Sequence, residues 1–584
     1  MPGSTDSVVI DGQSRRVIHN KAAEAAWNLK LISNSPASAK FQGVTNSDLA
    51  FLGNDVIQGN YNGYQIWDIS NPAKPALKTA FYCPASQSDV SVYKNLLFVS
   101  AEAPTARHDC AGGGIADVVS KERVRGIRIF DITDITKPRY IKDVQTCRGS
   151  HTHTVLVPPG DPNDVYVYIS GSQGVRPEGE LEGCADLATD ANPNSAAFRI
   201  EVIKVPVAHP EQAERVSQPH IFQDLVAPPR NNARSAQDSI ENANRPPRGG
   251  AGRGGAPGAA GGRAGGRGGP QVRQGPTQCH DITVYPAIGF AGGACGGYGL
   301  LLDIHDPANP KRVSFVADSN FSFWHSATFS NDGSKVLFTD EWGGGSAPRC
   351  RSTDKMEWGA DAIFTISGTN MNMKGYYKMP AAQTSNENCV AHNGSLIPIP
   401  GREVMVQGWY QGGISVFDWT DPAHAREIAF FDRGPLDGSR LVSAGSWSVY
   451  WYNGVLVSSE IARGLDIFEL QPSAFLSQNE LDAAKTVHFD YLNAQGQPKL
   501  VWPASFSLSG AYLDQLARSN GLPGDKITTT RAALAAAQKA SGAARRDALT
   551  VLATQLSNDA SSAGDAAKVR LLASSVRDLA GATR

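Results

Sequence analysis

Gly63-Tyr-Gln-Ile-Trp-Asp-Ile-Ser-Asn-Pro72 decides how this chain folds, because the chain repeats it. It returns as Gly126-Ile-Arg-Ile-Phe-Asp-Ile-Thr-Asp134, Gly299-Leu-Leu-Leu-Asp-Ile-His-Asp-Pro307 and Gly413-Ile-Ser-Val-Phe-Asp-Trp-Thr-Asp-Pro422. Each copy is an apolar, β-branched run that stops in an Asp-rich turn, which is how a strand followed by a tight corner reads. Phe198–Val205, Ala362–Ile366 and Gly464–Phe468 are weaker copies and bring the total to seven.

Four short strands can be placed in the first unit: Asp48–Leu52, Asp55–Gln58, Tyr64–Asp68 and Ala76–Phe81. Seven units of four antiparallel strands predict an all-β fold, a seven-bladed β-propeller over residues 27–470, preceded by an extension over 1–26. Trp27–Ser33 resembles the strands that follow other repeats, such as Arg139–Val144, Lys311–Ala317 and Arg426–Phe431, whereas the last repeat has no follower. An N-terminal strand is therefore expected to complete the last blade and close the ring, which protects its edges. Residues 103–125, 171–197 and 342–361 read as long loops over one face. From Ser477 the period changes: Ser477-Gln-Asn-Glu480 has capping-box form, and Thr530–Ala540, Ala544–Leu556 and Ala566–Leu579 are Ala-rich runs. A small C-terminal α-helical appendage over 471–584 follows, read as packing or spacer.

A formal charge of -2 over 584 residues gives no strong attraction for nucleic acid or an anionic membrane. Residues 226–278 carry eight arginines and no lysine against Asp238 and Glu241. The Gly/Arg-rich insertion over 228–277 cannot bury a core and is expected to be disordered. It has no aromatic residue to stack on a base, so no nucleic-acid partner is expected. No apolar run approaches the roughly 18 residues of a membrane span. The eight cysteines are even in number and form no Cys-x-x-Cys pair, which reads as disulfides in an oxidising, periplasmic or extracellular compartment. Proximity suggests Cys83 with Cys110 and Cys279 with Cys295. The start, Met-Pro-Gly-Ser-Thr-Asp, has neither a basic nor an apolar signal region, so an export signal is expected to have preceded this numbering.

Aligning the seven units on their first strands puts Asp48, Asp89, His153, His280, His325, His392 and Trp447 in one register. First strands line the channel of a propeller, so this register predicts an axial ring whose imidazoles would bind copper or iron, ahead of zinc. His151 is an additional candidate ligand. Glu102, Glu341 and Glu460 end second strands and are candidates to orient the ligands from behind, with Asp48 and Asp89 as proton acceptors. This pattern points to a metal-dependent oxidoreductase acting on a small molecule. The alternative is a protein-binding propeller in which each histidine merely braces its blade.

The repeated strand-and-turn motif resembles the LVIVD-repeat family of bacterial secreted proteins over about residues 27–470. That resemblance implies an exported seven-bladed propeller and no particular reaction. A propeller axis bearing histidine and glutamate is also similar in kind to the iron site of carotenoid-cleavage oxygenases and to selenium-binding or methanethiol oxidase proteins, without sharing their local motifs.

Overall fold

The computed structural model describes residues 5–10, 13–18, 24–187, 195–233, 235, 237–240 and 275–583. Seven antiparallel sheets follow one another in sequence and form the blades of a propeller. Blade 1 runs Asn46–Leu52, Asp55–Asn60, Gly63–Asp68 and Ala76–Tyr82, from the axis outward. The repeated motif is the third strand of each blade. It is buried on both faces by neighbouring blades, which is why it reads as a continuous apolar run, whereas an outer strand such as Lys311–Val316 alternates exposed and half-buried residues. The glycine that opens the motif has a steric cause. Gly63 sits at φ +137°, where a Cβ would lie 2.1 Å from the Phe81 carbonyl oxygen, so no other residue fits without moving the outer strand.

Every blade also carries a bulge at the same point of its third strand: Ile66/Trp67, Ile129/Phe130, Val202/Ile203, Leu301/Leu302, Ile363/Phe364, Val416/Phe417 and Ile467/Phe468. This common irregularity fixes which residues of different blades are equivalent.

The ring closes as its sequence predicts. Leu29–Ser35 pairs with Gly464–Leu470 and supplies the outer strand of blade 7. The expected strand does not start cleanly at Trp27, because Asn28 turns left-handed (φ +55°) and donates its side-chain Nδ2 to the Ile428 carbonyl at 2.9 Å. That turn frees Ala25–Trp27 to join the outer edge of blade 6 as a fifth strand. Thr5–Ile10 and Gln13–Ile18 of the extension pair as antiparallel strands. Deleting residues 1–35 bares the edge of Gly464–Leu470 to other chains. The variant is expected to leave the monomer peak in size-exclusion chromatography for oligomers and aggregate. A monomer melting like the parent would contradict the closure.

Beyond blade 7 the capping box at Ser477 and Glu480 is formed. Four helices, Phe506–Ser519, Gly524–Lys539, Gly542–Asp559 and Ala566–Ala582, pack around Leu513, Leu516, Leu549, Leu556, Leu572 and Val576. The first of these was not anticipated. Between blade 7 and this bundle lies a second unanticipated feature, the strand Tyr491–Asn493. It adds to the innermost strand of blade 1, inside the ring, opposite Leu52–Ala50. The following residues bridge Val284 of blade 4 through Gln495 and Gln497, and Gln495 reaches Asp281. This strap crosses the end of the channel at which the inner strands finish.

Of the insertion expected to be disordered over 228–277, residues 241–274 lie outside the described residues. Its near end is seated on the propeller, with the Asn231 amide on the Phe321 carbonyl and Asp238 held by Arg349 and Arg351. Four disulfides join Cys83–Cys110, Cys147–Cys184, Cys279–Cys295 and Cys350–Cys389. Among the described residues no helix is long and apolar enough to cross a membrane.

Candidate metal centre

Counting across each blade from the shared bulge identifies the equivalent first-strand positions as Ser47, Ser88, His151, His280, His325, His392 and Trp447. His151 thus occupies the histidine register in blade 3. His153 lies two residues deeper, with its Nδ1 2.8 Å from Ser100 Oγ and its Nε2 without a partner among the described residues. Asp48 and Asp89 fall one residue below the histidines, in a ring completed by Thr152, Asp281, Ser326, Asn393 and Ser448, every member of which carries a side-chain oxygen. Asp48 accepts from Tyr450 Oη at 2.7 Å and from Asn393 at 2.9 Å, and burial pushes its carboxyl up to about 6 against those bonds.

The four imidazoles of blades 3 to 6 form an arc. His151 Nε2 lies 2.9 Å from His280 Nε2, and the ring centroids of His280–His325 and His325–His392 are 4.0 and 4.1 Å apart. Three of the four are oriented by their far nitrogen. His151 Nδ1 is 2.8 Å from Glu102 Oε1, His280 Nδ1 is 3.0 Å from Asp281 Oδ1, and His392 Nδ1 bonds the Trp447 carbonyl. Such bonds leave each Nε2 lone pair turned inward, the arrangement that prepares an imidazole for a metal. His325 has no such partner among the described residues: it is 0% exposed and both ring nitrogens are unbonded there. Buried unpaired polar atoms are rare and ask for a missing ligand.

Glu341 closes the arc, its Oε1 3.6 Å from His392 Nε2 and its Oε2 3.9 Å from His325 Nε2. Tyr410 donates its hydroxyl to Glu341 Oε1 at 2.5 Å. Glu102 is at hand as a support for His151 and also accepts from Ser172 and Ser86. Glu460 is not in the arc. It accepts from the Gly445 and Ala462 amides and from Arg463.

Electrostatics favour neutral ligands. Burial lowers His325 well below the ordinary range, helped by the charges of His280, His392 and His151, and burial with the charge of His280 takes His392 to about 3. Burial and His151 likewise lower His280. His151 differs: burial opposes its charge, but Glu102 outweighs burial and raises it. Burial also raises Glu102, yet the charge of His151 and its hydrogen bonds bring it down to about 2. Burial pushes Glu341 up to about 8, opposed by the bond from Tyr410.

The donor set fits a transition metal. Two triads, His280–Asp281–His325 and His325–Glu341–His392, have ligand atoms that all lie within 4.8 Å of one another. Metal–nitrogen bonds of about 2.0–2.1 Å put neighbouring ligand atoms roughly 3 Å apart, which matches the Nε2–Nε2 separation. Nitrogen with carboxylate oxygen suits copper, iron or zinc.

Sequence reasoning missed Gln87, Asp281 and Tyr410. Gln87 Nε2 is 3.1 Å from His151 Nε2 and is delivered by a distorted segment, Ser86 and Ser88 having φ of +82° and +54°. Tyr410 likewise has φ +53°. Bulky residues rarely adopt this conformation, and such strain concentrates at functional sites. Gly345 caps the Tyr410–Glu341 pair, and a Cβ there would lie 2.3 Å from Tyr410 Oη and 2.8 Å from Glu341 Oε1. Gly345→Ala is therefore expected to break the Tyr410–Glu341 bond and weaken metal binding by tenfold or more in a competition titration, with circular dichroism unchanged. Unaltered affinity would mean the pair plays no part. Three disulfides pin the connectors that carry these groups, since Cys147, Cys279 and Cys389 lie four, one and three residues before His151, His280 and His392.

No protein-family model matches the sequence, and no curated protein does. Solved structures that resemble the chain include a periplasmic gluconolactonase of Pseudomonas aeruginosa at 12% identity, covering 71% of this chain and 89% of that one, with a TM-score of 0.40. The Dos1 propeller matches at 11% identity over 74% of this chain and 80% of its own, with a TM-score of 0.37. Hydrazine synthase of Kuenenia stuttgartiensis matches at 9% identity over 74% and 98%, with a TM-score of 0.40. At these scores the likenesses add nothing to what the sheet topology itself establishes, and they assign no activity to this chain.

Proposed function

We propose that the axial cluster is a transition-metal centre, copper or iron, in an exported LVIVD-type propeller that acts as an oxidoreductase on a small molecule. The observation that carries this reading is His325: a fully buried imidazole with both nitrogens bare, flanked by imidazoles that neighbouring groups hold with Nε2 inward. His280 and Asp281 on one side and Glu341 and His392 on the other are the groups that would hold metal with it. Copper or iron in such a set supplies one-electron exchange. The protein's own part is to keep His280, His325 and His392 neutral by burial, to fix the rotation of His151 and His392 through Glu102 and the Trp447 carbonyl, and to hold a proton on Tyr410 Oη beside Glu341. The four disulfides support an oxidising compartment.

A second reading, a binding propeller with structural histidines, is favoured by the bonds that His151 and His392 make to other blades, at Glu102 and Trp447. Metal analysis separates the two. Protein purified after growth with copper and iron is expected to contain stoichiometric metal, and His280→Ala/His325→Ala is expected to contain none while keeping its fold. Metal-free parent protein that takes up neither ion would overturn the proposal.

A further inference from the structure

We infer that the centre holds two metal ions bridged by His325, not one; this rests on the metal-centre reading above. A ligand pair on one ion with bonds of about 2.0–2.2 Å cannot be more than about 4.4 Å apart. The donors divide at a spacing close to that limit, 4.8 Å. His280, Asp281 and His325 form one mutually close set and His325, Glu341 and His392 another, and among the described residues no larger set meets even the looser 4.8 Å bound. His325 is the only member of both. A single ion therefore reaches one flank of the arc and leaves the other flank's carboxylate and imidazole buried without a cation.

The state of His325 agrees with this division. Its Nε2 faces Glu341 Oε2 at 3.9 Å, and Nδ1 is equally without a partner. One ion would satisfy one nitrogen. Two ions satisfy both, with His325 as imidazolate: the second metal–nitrogen bond forms as the remaining N–H bond breaks, and the proton leaves to the buffer. No electrons are exchanged in loading. Charge also closes when Glu341 binds as carboxylate and His151 as neutral imidazole, their protons likewise leaving to the buffer: the imidazolate with Asp281, Glu341 and Glu102 then sets four negative charges against two divalent ions in a buried site. His151 Nε2, 2.9 Å from His280 Nε2, extends the first flank, and Tyr410 on Glu341 marks the second. Each flank thus has its own carboxylate and its own supporting group.

The test uses the full chain, stripped with a chelator, reloaded with Cu(II) and desalted, with copper counted by mass spectrometry and spins counted by electron paramagnetic resonance. The expected result is two coppers per chain with a spin count well below the copper count, because an imidazolate bridge couples the two ions. Asp281→Asn and Glu341→Gln are each expected to hold one copper with its full spin. One copper with full spin in the parent protein overturns the two-ion inference and leaves the metal-centre reading standing; no copper overturns the two-ion inference, and no iron on a parallel reload with Fe(II) then overturns the metal-centre reading as well. Two coppers retained in both variants also overturns it. Should a variant fail to fold, the spin-to-copper ratio of the parent decides alone.

Discussion

Replacing His325 by leucine is expected to raise the stability of the metal-free protein while abolishing its response to added copper. The direction is unusual for a fully buried residue, and it follows from the bonding. Without metal, His325 keeps two polar atoms in the interior with nothing to pair with them. Each unpaired polar atom costs about 1–3 kcal/mol, and a side chain of similar size without polar atoms removes that cost. With metal, the parent gains stability by mass action, about 2.7 kcal/mol at a free-ion concentration 100 times the dissociation constant. Thermal melts with and without copper therefore cross: the variant melts above the parent without metal and does not move when copper is added. A structural brace gives the opposite pattern, with a less stable variant and no copper response in either protein.

The second large effect is expected at the strap that closes the channel. Asn493 donates to the Val92 carbonyl at 2.9 Å and accepts from the Val92 amide at 2.8 Å, and Gln497 makes the same pair of bonds with Phe329, both at 2.8 Å. Each side-chain amide thus stands in for a neighbouring strand and satisfies both backbone groups of a buried inner-strand residue. Alanine at either position leaves an N–H and a C=O unpaired, a loss of about 2–6 kcal/mol for each substitution. Asn493 serves blade 2 and Gln497 blade 5 without a shared partner, so the double variant is expected to lose nearly the sum. Denaturant unfolding of the two single variants and the double one checks this. Losses under about 0.5 kcal/mol would mean that the strap only rests on the ring.

The blades were legible because a strand covered on both sides must be apolar throughout, and the chain states that run seven times, four of them opened by a glycine at positive φ, Gly63, Gly126, Gly413 and Gly464. The closing strand was legible as the missing partner of Gly464–Leu470. The site was legible only in part. His280, His325 and His392 share one position, but blade 3 offers both His151 and His153, and the position of a bulge decides between them. Bulges shift register by one residue and leave no periodic trace in sequence. For the same reason Asp48 and Asp89 aligned with the histidines although they lie one residue deeper. Gln87 reaches the axis between two left-handed residues, Ser86 and Ser88, and Tyr410 is left-handed itself, and no repeat encodes them. The strap was hidden because three residues of strand carry too short a period to stand out before helical sequence.

The most direct test of the central claim, that the propeller axis is a metal centre built from blades 3 to 6, is X-ray absorption at the metal edge of protein loaded with copper and desalted. The account predicts a first shell of nitrogen and oxygen near 2.0 Å together with the outer-shell scattering of several imidazole rings, which is lost in His280→Ala/His325→Ala. A retained ion with an all-oxygen shell and no imidazole scattering, or no retained ion, would contradict it.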